Sequence, residues 1–242
     1  MPDIKFSSNG TSKSDPLPDW EKALSLTDKV SVGTRGGLSM VYINNSQMGR
    51  NKYEIQLGGS ETDYFSCPFG VGSYSGNNEP RMELPVKLHT QESGFCFRSL
   101  DAYILDCARK NMKVWWPDVT DFDRLEYKGC LNQKEDYDPL LKCKIRLDNA
   151  DEKRKCMFFK VDGTTDSHMP NLTKVDTFDE KIDLLTKGSN FITIVSPTSI
   201  WFKGNQFGLT IEMKYLAVVT ETSQQESQNA GFVWNTPTEQ MV

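Results

Sequence analysis

Histidine is scarce. Only His89 and His168 occur among the 242 residues, far apart in the chain, so a multi-histidine metal site is excluded and a Ser-His-Asp arrangement would need one of them by chance. The six cysteines (Cys67, Cys96, Cys107, Cys130, Cys143, Cys156) include no C-x-x-C. In a chain long enough to stand without staples they are expected to be reduced, mostly buried thiols. No run approaches the roughly 18 consecutive apolar residues of a membrane span, and the start has no apolar h-region. The expectation is a chain neither secreted by a signal nor anchored, working inside the cell. Net charge is also small: 28 Lys plus Arg against 33 Asp plus Glu leave −5. There is no global attraction for phosphate, so any nucleic-acid site must be a local patch. The glycine-rich stretch from Gly70 to Gly76 misses two catalytic or phosphate-binding patterns. Ser75 breaks G-x-G-x-x-G, and Tyr74 stands where a nucleophile elbow needs serine.

What is present reads as a globular, β-rich chain: 37% hydrophobic and 25% charged residues, enough for one sizeable core. Residues 1 to 19 are polar with Pro16 and Pro18 and read as a mobile arm, 20 to 220 as a single domain, and 221 to 242 as a polar, weakly acidic tail. Alternation at Leu38 to Ile43 and at Tyr53 to Leu57 predicts two strands, and the turn chemistry of NNSQMGRN between them predicts that they form a hairpin. Residues 58 to 80 predict a long ordered loop with exposed Phe65, Phe69 and Tyr74. Met82, Leu84, Val86 and Leu88 predict a strand in which Pro85, lacking an amide hydrogen, belongs at an edge or a bulge. Helical spacing of Phe97, Leu100, Ile104, Cys107 and Ala108 predicts one prominent helix over 95 to 111. Residues 117 to 139 read as a solvated acidic excursion. Further on come strands at Leu141 to Leu147 and Cys156 to Val161, a short helix near 177 to 185, and a long hairpin of 190 to 202 with 207 to 219 turning at Lys203-Gly204-Asn205-Gln206.

The segment LKCKIRL, 141 to 147, carries the most chemistry. Alternation turns Leu141, Cys143, Ile145 and Leu147 inward and sets Lys142, Lys144 and Arg146 in an outward row. In CMFFKV the same reading puts Met157, Phe159 and Val161 inward and Phe158 and Lys160 outward. Residues 141 to 160 hold seven Lys or Arg against three acids, a local +4 in a molecule of −5. Cations hold phosphates and flat rings stack bases, so a basic row beside an aromatic suits a single strand. Alternating lysines are also the ordinary solvated face of an antiparallel sheet and protect edges from aggregation. Asp118, Asp121 and Asp123 have the chemistry to hold Mg²⁺, although a solvated acidic loop is the commoner use of such a run. Trp115 and Trp116 fit a core, an interface or a stacking platform equally well.

The stretch GSNFITIVSPTSIWFKGNQFGLTIEMKYLAVV, 188 to 219, resembles the carboxy-terminal hairpin of the OB-fold single-stranded-DNA-binding proteins of large nucleocytoplasmic DNA viruses. The shared features are the triplet Ile200-Trp201-Phe202, a glycine-containing turn and the Phe207-Gly208-Leu209 start of the last strand. Pro68-Phe69-Gly70, Tyr74 and a helix containing Leu100 and Asp101 look like the same family in the same order. More distantly the layout resembles phage single-stranded-DNA-binding proteins with an acidic tail, although the tail here is only weakly acidic. The resemblance implies an OB fold, sequence-tolerant strand binding and a viral role in replication or recombination.

The combined expectation is a mainly β chain: an elaborated OB-fold barrel that binds single-stranded DNA through Lys142, Lys144, Arg146, Phe158 and Lys160, with Trp201, Lys203 and Tyr215 from the last hairpin. It is expected to be no enzyme and to need neither cofactor nor metal. Its expected partners are single-stranded DNA, replication proteins and further copies of itself, with no membrane, in the cytoplasm or nucleus of an infected host cell. The rival reading is a viral or cellular structural β-sandwich protein whose loop aromatics assemble with neighbouring copies.

Overall fold

The computed structural model describes residues 17–27, 31–32, 39–47, 52–58, 65–73, 81–88, 91–133, 137–147, 155–164 and 170–219. Most of the expected arm, the whole tail, Tyr74, His89 and His168 lie outside the described residues. In chain order come α1 (Trp20–Ala23), β1 (Leu24–Leu26), β2 (Ser31–Val32), β3 (Ser39–Asn45), β4 (Ile55–Leu57), β5 (Phe65–Ser66), β6 (Gly72–Ser73) and β7 (Arg81–Lys87), then the long helix α2 (Gln91–Trp115). They are followed by β8 (Glu126–Lys128), β9 (Leu131–Asn132), β10 (Leu140–Arg146), β11 (Met157–Thr164), β12 (Pro170–Lys174), α3 (Phe178–Leu184), β13 (Asn190–Lys203) and β14 (Gln206–Val219).

The β13–β14 hairpin is the spine. Its antiparallel register runs from Asn190 opposite Val219 to Lys203 opposite Gln206, and Gly204 takes a left-handed φ of 61° at the turn, open to it because it has no Cβ. Pro197 cannot donate to the ladder, and the register shifts beside it, between Pro197 and Ser199. Along the free edge of β13 dock β3, β4 and β5, all antiparallel. Along the free edge of β14 dock β8, β10 and β11, all parallel. The pairings β13–β5–β7–β10–β14–β13 close a ring of five strands with one parallel contact, β10 with β14. The seam that closes the ring, β5 with β7, is a single pair, Ser66 opposite Lys87. The protein is thus mainly β, an OB-like barrel elaborated by extra strands.

The predicted helix is present and longer than its apolar stripe suggested, and Phe97, Leu100, Ile104 and Ala108 are fully buried in the main core. Its last turn delivers Trp115 and Trp116, whose rings pack on Phe202 of β13, Trp116 also on Phe207 of β14 at 5.0 Å between centroids. Both tryptophans are therefore core. The helix also anchors the chain beyond it. The Asp101 carboxylate accepts from the Tyr127 hydroxyl at 2.5 Å and from the Cys130 amide at 3.1 Å, fixing β8 and β9 in what reads as a solvated excursion. Pro85 sits as expected for a residue without an amide hydrogen. On the edge of β7 away from β10, β6 pairs at residues 82 and 83 and β5 at 87, and Pro85 falls in the gap between them.

Three expectations are corrected. β3 and β4 do not form a hairpin with each other; each pairs with β13, whose long edge offers more ladder than either short strand can offer the other. Phe65 is buried, not exposed, because it faces the core from β5. The alternation of β11 is also inverted. Phe158 and Cys156 point into the main core, while Phe159 and Val161 face the opposite side with Ile192, Ala217, Val219 and Leu172. β10 and β11 are not a pair but lie in succession along one edge of β14, with the Cys156 amide bonded to the Arg146 carbonyl. Leu147 at the end of β10 and Cys156 before β11 both lie in the main core although their numbers differ in parity.

Candidate nucleic-acid interface

The outward row of β10 is present as read. Leu141, Cys143 and Ile145 are buried, Lys142 is exposed, and Lys144 and Arg146 are half-buried. The antiparallel register with β7 sets Lys142 beside Pro85, Lys144 beside Glu83 and Arg146 beside Arg81. On its other side Lys144 stands beside Glu212 of β14. Arg146 Nη2 meets Glu212 Oε1 at 3.1 Å and Lys214 Nζ meets Glu212 Oε2 at 3.2 Å. Burial raises the Glu212 carboxyl, but Lys214 and Arg146 outweigh this and hold it below the usual glutamate value. Arg146 is thereby committed to an internal pair, and Lys142 is the member of the row most available to a ligand.

Phe158 is removed from the site. It is 1% exposed in the main core, so no base can reach its ring. Lys160 follows it on the same side of β11, beside Val218, and does not share the face of Lys142. The last-hairpin candidates are scattered. Trp201 lies half-buried across Gly208, where a Cβ would come within 2.8 Å of Trp201 Cζ2 and 2.5 Å of the Lys128 carbonyl oxygen. Lys203 is exposed at the hairpin turn. Tyr215 stands in a row with Ile194 and Met157, about 23 Å along β14 from Gly208 at the usual strand rise. Trp201 and Tyr215 therefore do not line one groove.

Beyond the row at its β10 start, a cleft of about 650 Å³ opens, lined by Pro68, Phe69, Lys87, Asn132, Tyr137, Asp138 and Leu140. Leu140 is flanked in the sheet by Lys87 of β7 and Asn132 of β9, so the cleft is continuous with the face that carries Lys142. Its two aromatics are open: Phe69 is 71% exposed and Tyr137 73%. Both rings sit on anchored loops. The Cys67 amide bonds to the Ser189 carbonyl, the Gly188 amide to the Cys67 carbonyl and the Val71 amide to the Leu185 carbonyl. Gly70 has φ +78°, and a Cβ on it would press on the Leu185 carbonyl at 3.2 Å. Two residues after Tyr137, the Pro139 carbonyl accepts from the Leu88 amide. Lys87 Nζ pairs with Asp138 Oδ2 at 2.8 Å. A neighbouring pair extends the surface onto α2, where the Arg98 guanidinium lies 4.8 Å from the centroid of the exposed Phe95 ring and bonds to Gln133.

Lys87, Asn132 and Tyr137 escape a reading by motif because each is a lone residue on a different element. The one legible signal is an unpaired aromatic in a polar stretch, which Tyr137 and Phe69 share. Elsewhere the chemistry points to structure. All six thiols are buried and none is in a disulfide; burial pushes Cys96 up to about 11 and Cys156 up to about 12, which removes thiolate character. Asp121 caps a 3-10 turn by accepting from the Asp123 amide at 3.0 Å. Among the described residues no three His, Cys, Asp or Glu converge on a cation position, and no helix is long and apolar enough to cross a membrane.

No protein-family model and no curated protein matches the chain. The resemblance to the large nucleocytoplasmic virus proteins therefore rests only on the residues that carry it. Among solved structures the chain is similar to the single-stranded DNA-binding protein from bacteriophage Enc34, at 9% identity and a TM-score of 0.43 over 80% of this chain and 89% of that one. The same phage protein in complex with single-stranded DNA aligns at 9% identity and a TM-score of 0.42, over 79% and 96% of the two chains. The gp2.5 single-stranded DNA-binding protein of bacteriophage T7 aligns at 10% identity and a TM-score of 0.42, over 69% and 86%. At such identities and scores the ligands of those proteins do not transfer to this chain.

Proposed function

We propose that this chain binds single-stranded DNA along the outer face of β7 and β10. Phe69 and Tyr137 stack bases, while Lys87, Lys142 and Lys144 hold phosphates. One juxtaposition supports the reading: two exposed rings, Phe69 and Tyr137, line the same cleft as Lys87 and Leu140, and the strand that supplies Leu140 continues into Lys142 and Lys144. Rings stack any base and cations track the backbone, so such a surface is sequence-tolerant. The local cations suffice in an acidic molecule because binding follows the field at the groove. In this reading the protein coats strands inside the cell during replication or recombination and performs no chemistry on them.

A gel shift with a labelled single-stranded oligonucleotide at several salt concentrations tests the proposal. Binding should weaken steeply with salt, with a slope of about −0.7 per phosphate contact on a logarithmic plot. Failure to retard the strand at low salt, together with concentration-dependent self-association, would favour the rival in which Phe69 and Tyr137 dock on another copy.

A further inference from the structure

Resting on that reading, we infer that the DNA strand leaves the cleft across β9 and continues onto α2, where Phe95 and Arg98 make a second contact, one for a base and one for a phosphate. The register sets the direction. Lys87, Leu140 and Asn132 are direct partners across β7, β10 and β9, so their side chains share one face and the row crosses about 10 Å of sheet, two strand spacings. All three line the cleft. Gln133 follows at the far end of that row, and its side-chain oxygen accepts from Arg98 Nη1 at 3.3 Å. The row thus leads from the cleft to the first turns of α2.

The pair on α2 repeats the chemistry of the cleft, a ring beside a cation. Phe95 is 53% exposed even with the Arg98 guanidinium 4.8 Å from its ring centroid, and Arg98 is itself exposed. Their spacing of three residues sets both on one face of the helix. Gly94 gives the guanidinium its bed, since a Cβ there would come within 3.0 Å of Arg98 Nη2. A ring and a neutral amide do not cancel a charge. Among the described residues Arg98 meets no carboxylate, whereas Arg146 is neutralised by Glu212 and Lys87 pairs with Asp138. Gln133 takes one guanidinium N–H, and the others can reach a phosphate. Phenyl rings and guanidinium planes stack any base, so this contact lengthens the site without adding a sequence preference.

Fluorescence anisotropy of the full chain with labelled deoxythymidine strands of about 5 and about 20 nucleotides, which bracket the site sizes of an OB fold, tests this at three salt concentrations. Phe95→Ala should weaken binding of the long strand at least about fivefold, the lower bound for one stacked base, and leave the short strand, held in the cleft, unaffected. Arg98→Ala should lower the salt slope for the long strand by about 0.7, one phosphate contact. Phe69→Ala should weaken both lengths. Both α2 side chains are exposed, so both variants should melt as the parent does, and either one alone decides. Parental affinity and slope for the long strand in folded Phe95→Ala and Arg98→Ala, or equal losses for the two lengths, would overturn the inference and leave strand binding in the cleft standing. Absence of binding by the parent to either length would overturn both.

Discussion

Replacing Phe158 and Phe69 by alanine in separate variants should move two different measurements. Phe158 is 1% exposed and packed in the main core, so its truncation leaves a cavity and should cost about 3–5 kcal/mol of stability. For a domain of this size that corresponds to a fall in Tm of about 6–20 °C. Its effect on strand affinity, measured well below the transition, should be small. Phe69 is 71% exposed and its backbone is held by the anchored 67 to 71 loop. Phe69→Ala should therefore change stability by no more than about 0.5 kcal/mol, yet weaken strand binding by about 1–3 kcal/mol, the value of one stacked base. In dissociation constant this is about 5- to 150-fold. The salt slope should stay the same, because stacking releases few counterions. Anisotropy titrations at three salt concentrations beside calorimetric melts separate the two. Normal binding by a folded Phe69→Ala, or a Phe158→Ala variant that melts like the parent and loses the strand, would refute the assignment of the two rings.

Lys142→Ala should lower the salt slope of strand binding by about 0.7, one phosphate contact, with little change in Tm, since the side chain is exposed; an unchanged slope would remove Lys142 from the interface. Gly208→Ala should cost at least about 1–3 kcal/mol in a denaturant melt, because the new Cβ meets the Lys128 carbonyl oxygen and the Trp201 ring; parental stability would show that β8 and Trp201 are loosely held. The Glu212 carboxyl is held below its ordinary value, so its ionisation contributes stability above the unfolded-state value and that contribution is lost as pH falls through the folded one. Stability followed from neutral pH to pH about 3 should therefore fall less steeply in Glu212→Gln than in the parent; parallel curves would contradict the direction of the shift.

Local pattern alone was enough for features that depend only on near neighbours. The stripe of Phe97, Leu100, Ile104, Cys107 and Ala108 spells a helix, residues 177 to 185 read as the short helix that is α3, and two long apolar runs around Lys203-Gly204-Asn205-Gln206 spell the closing hairpin. Within β10, alternation correctly divided Leu141, Cys143 and Ile145 from Lys142, Lys144 and Arg146, because the chain there holds one regular strand whose apolar members are unambiguous. In CMFFKV both parities are apolar, and pattern cannot say which faces the core. That was decided by β14, which takes β11 on its edge with Phe158 beside Leu216 and Val161 beside Val219, one turned to the main core and the other away from it. The cleft is likewise a tertiary product. Phe69, Lys87, Asn132 and Tyr137 come from three loops and strands of β5, β7 and β9–β10, and only barrel closure brings them to one mouth. A period of two fixes which residues of a strand share a face; which face becomes surface depends on the strand that pairs beside it, and that partner can lie far away in the chain.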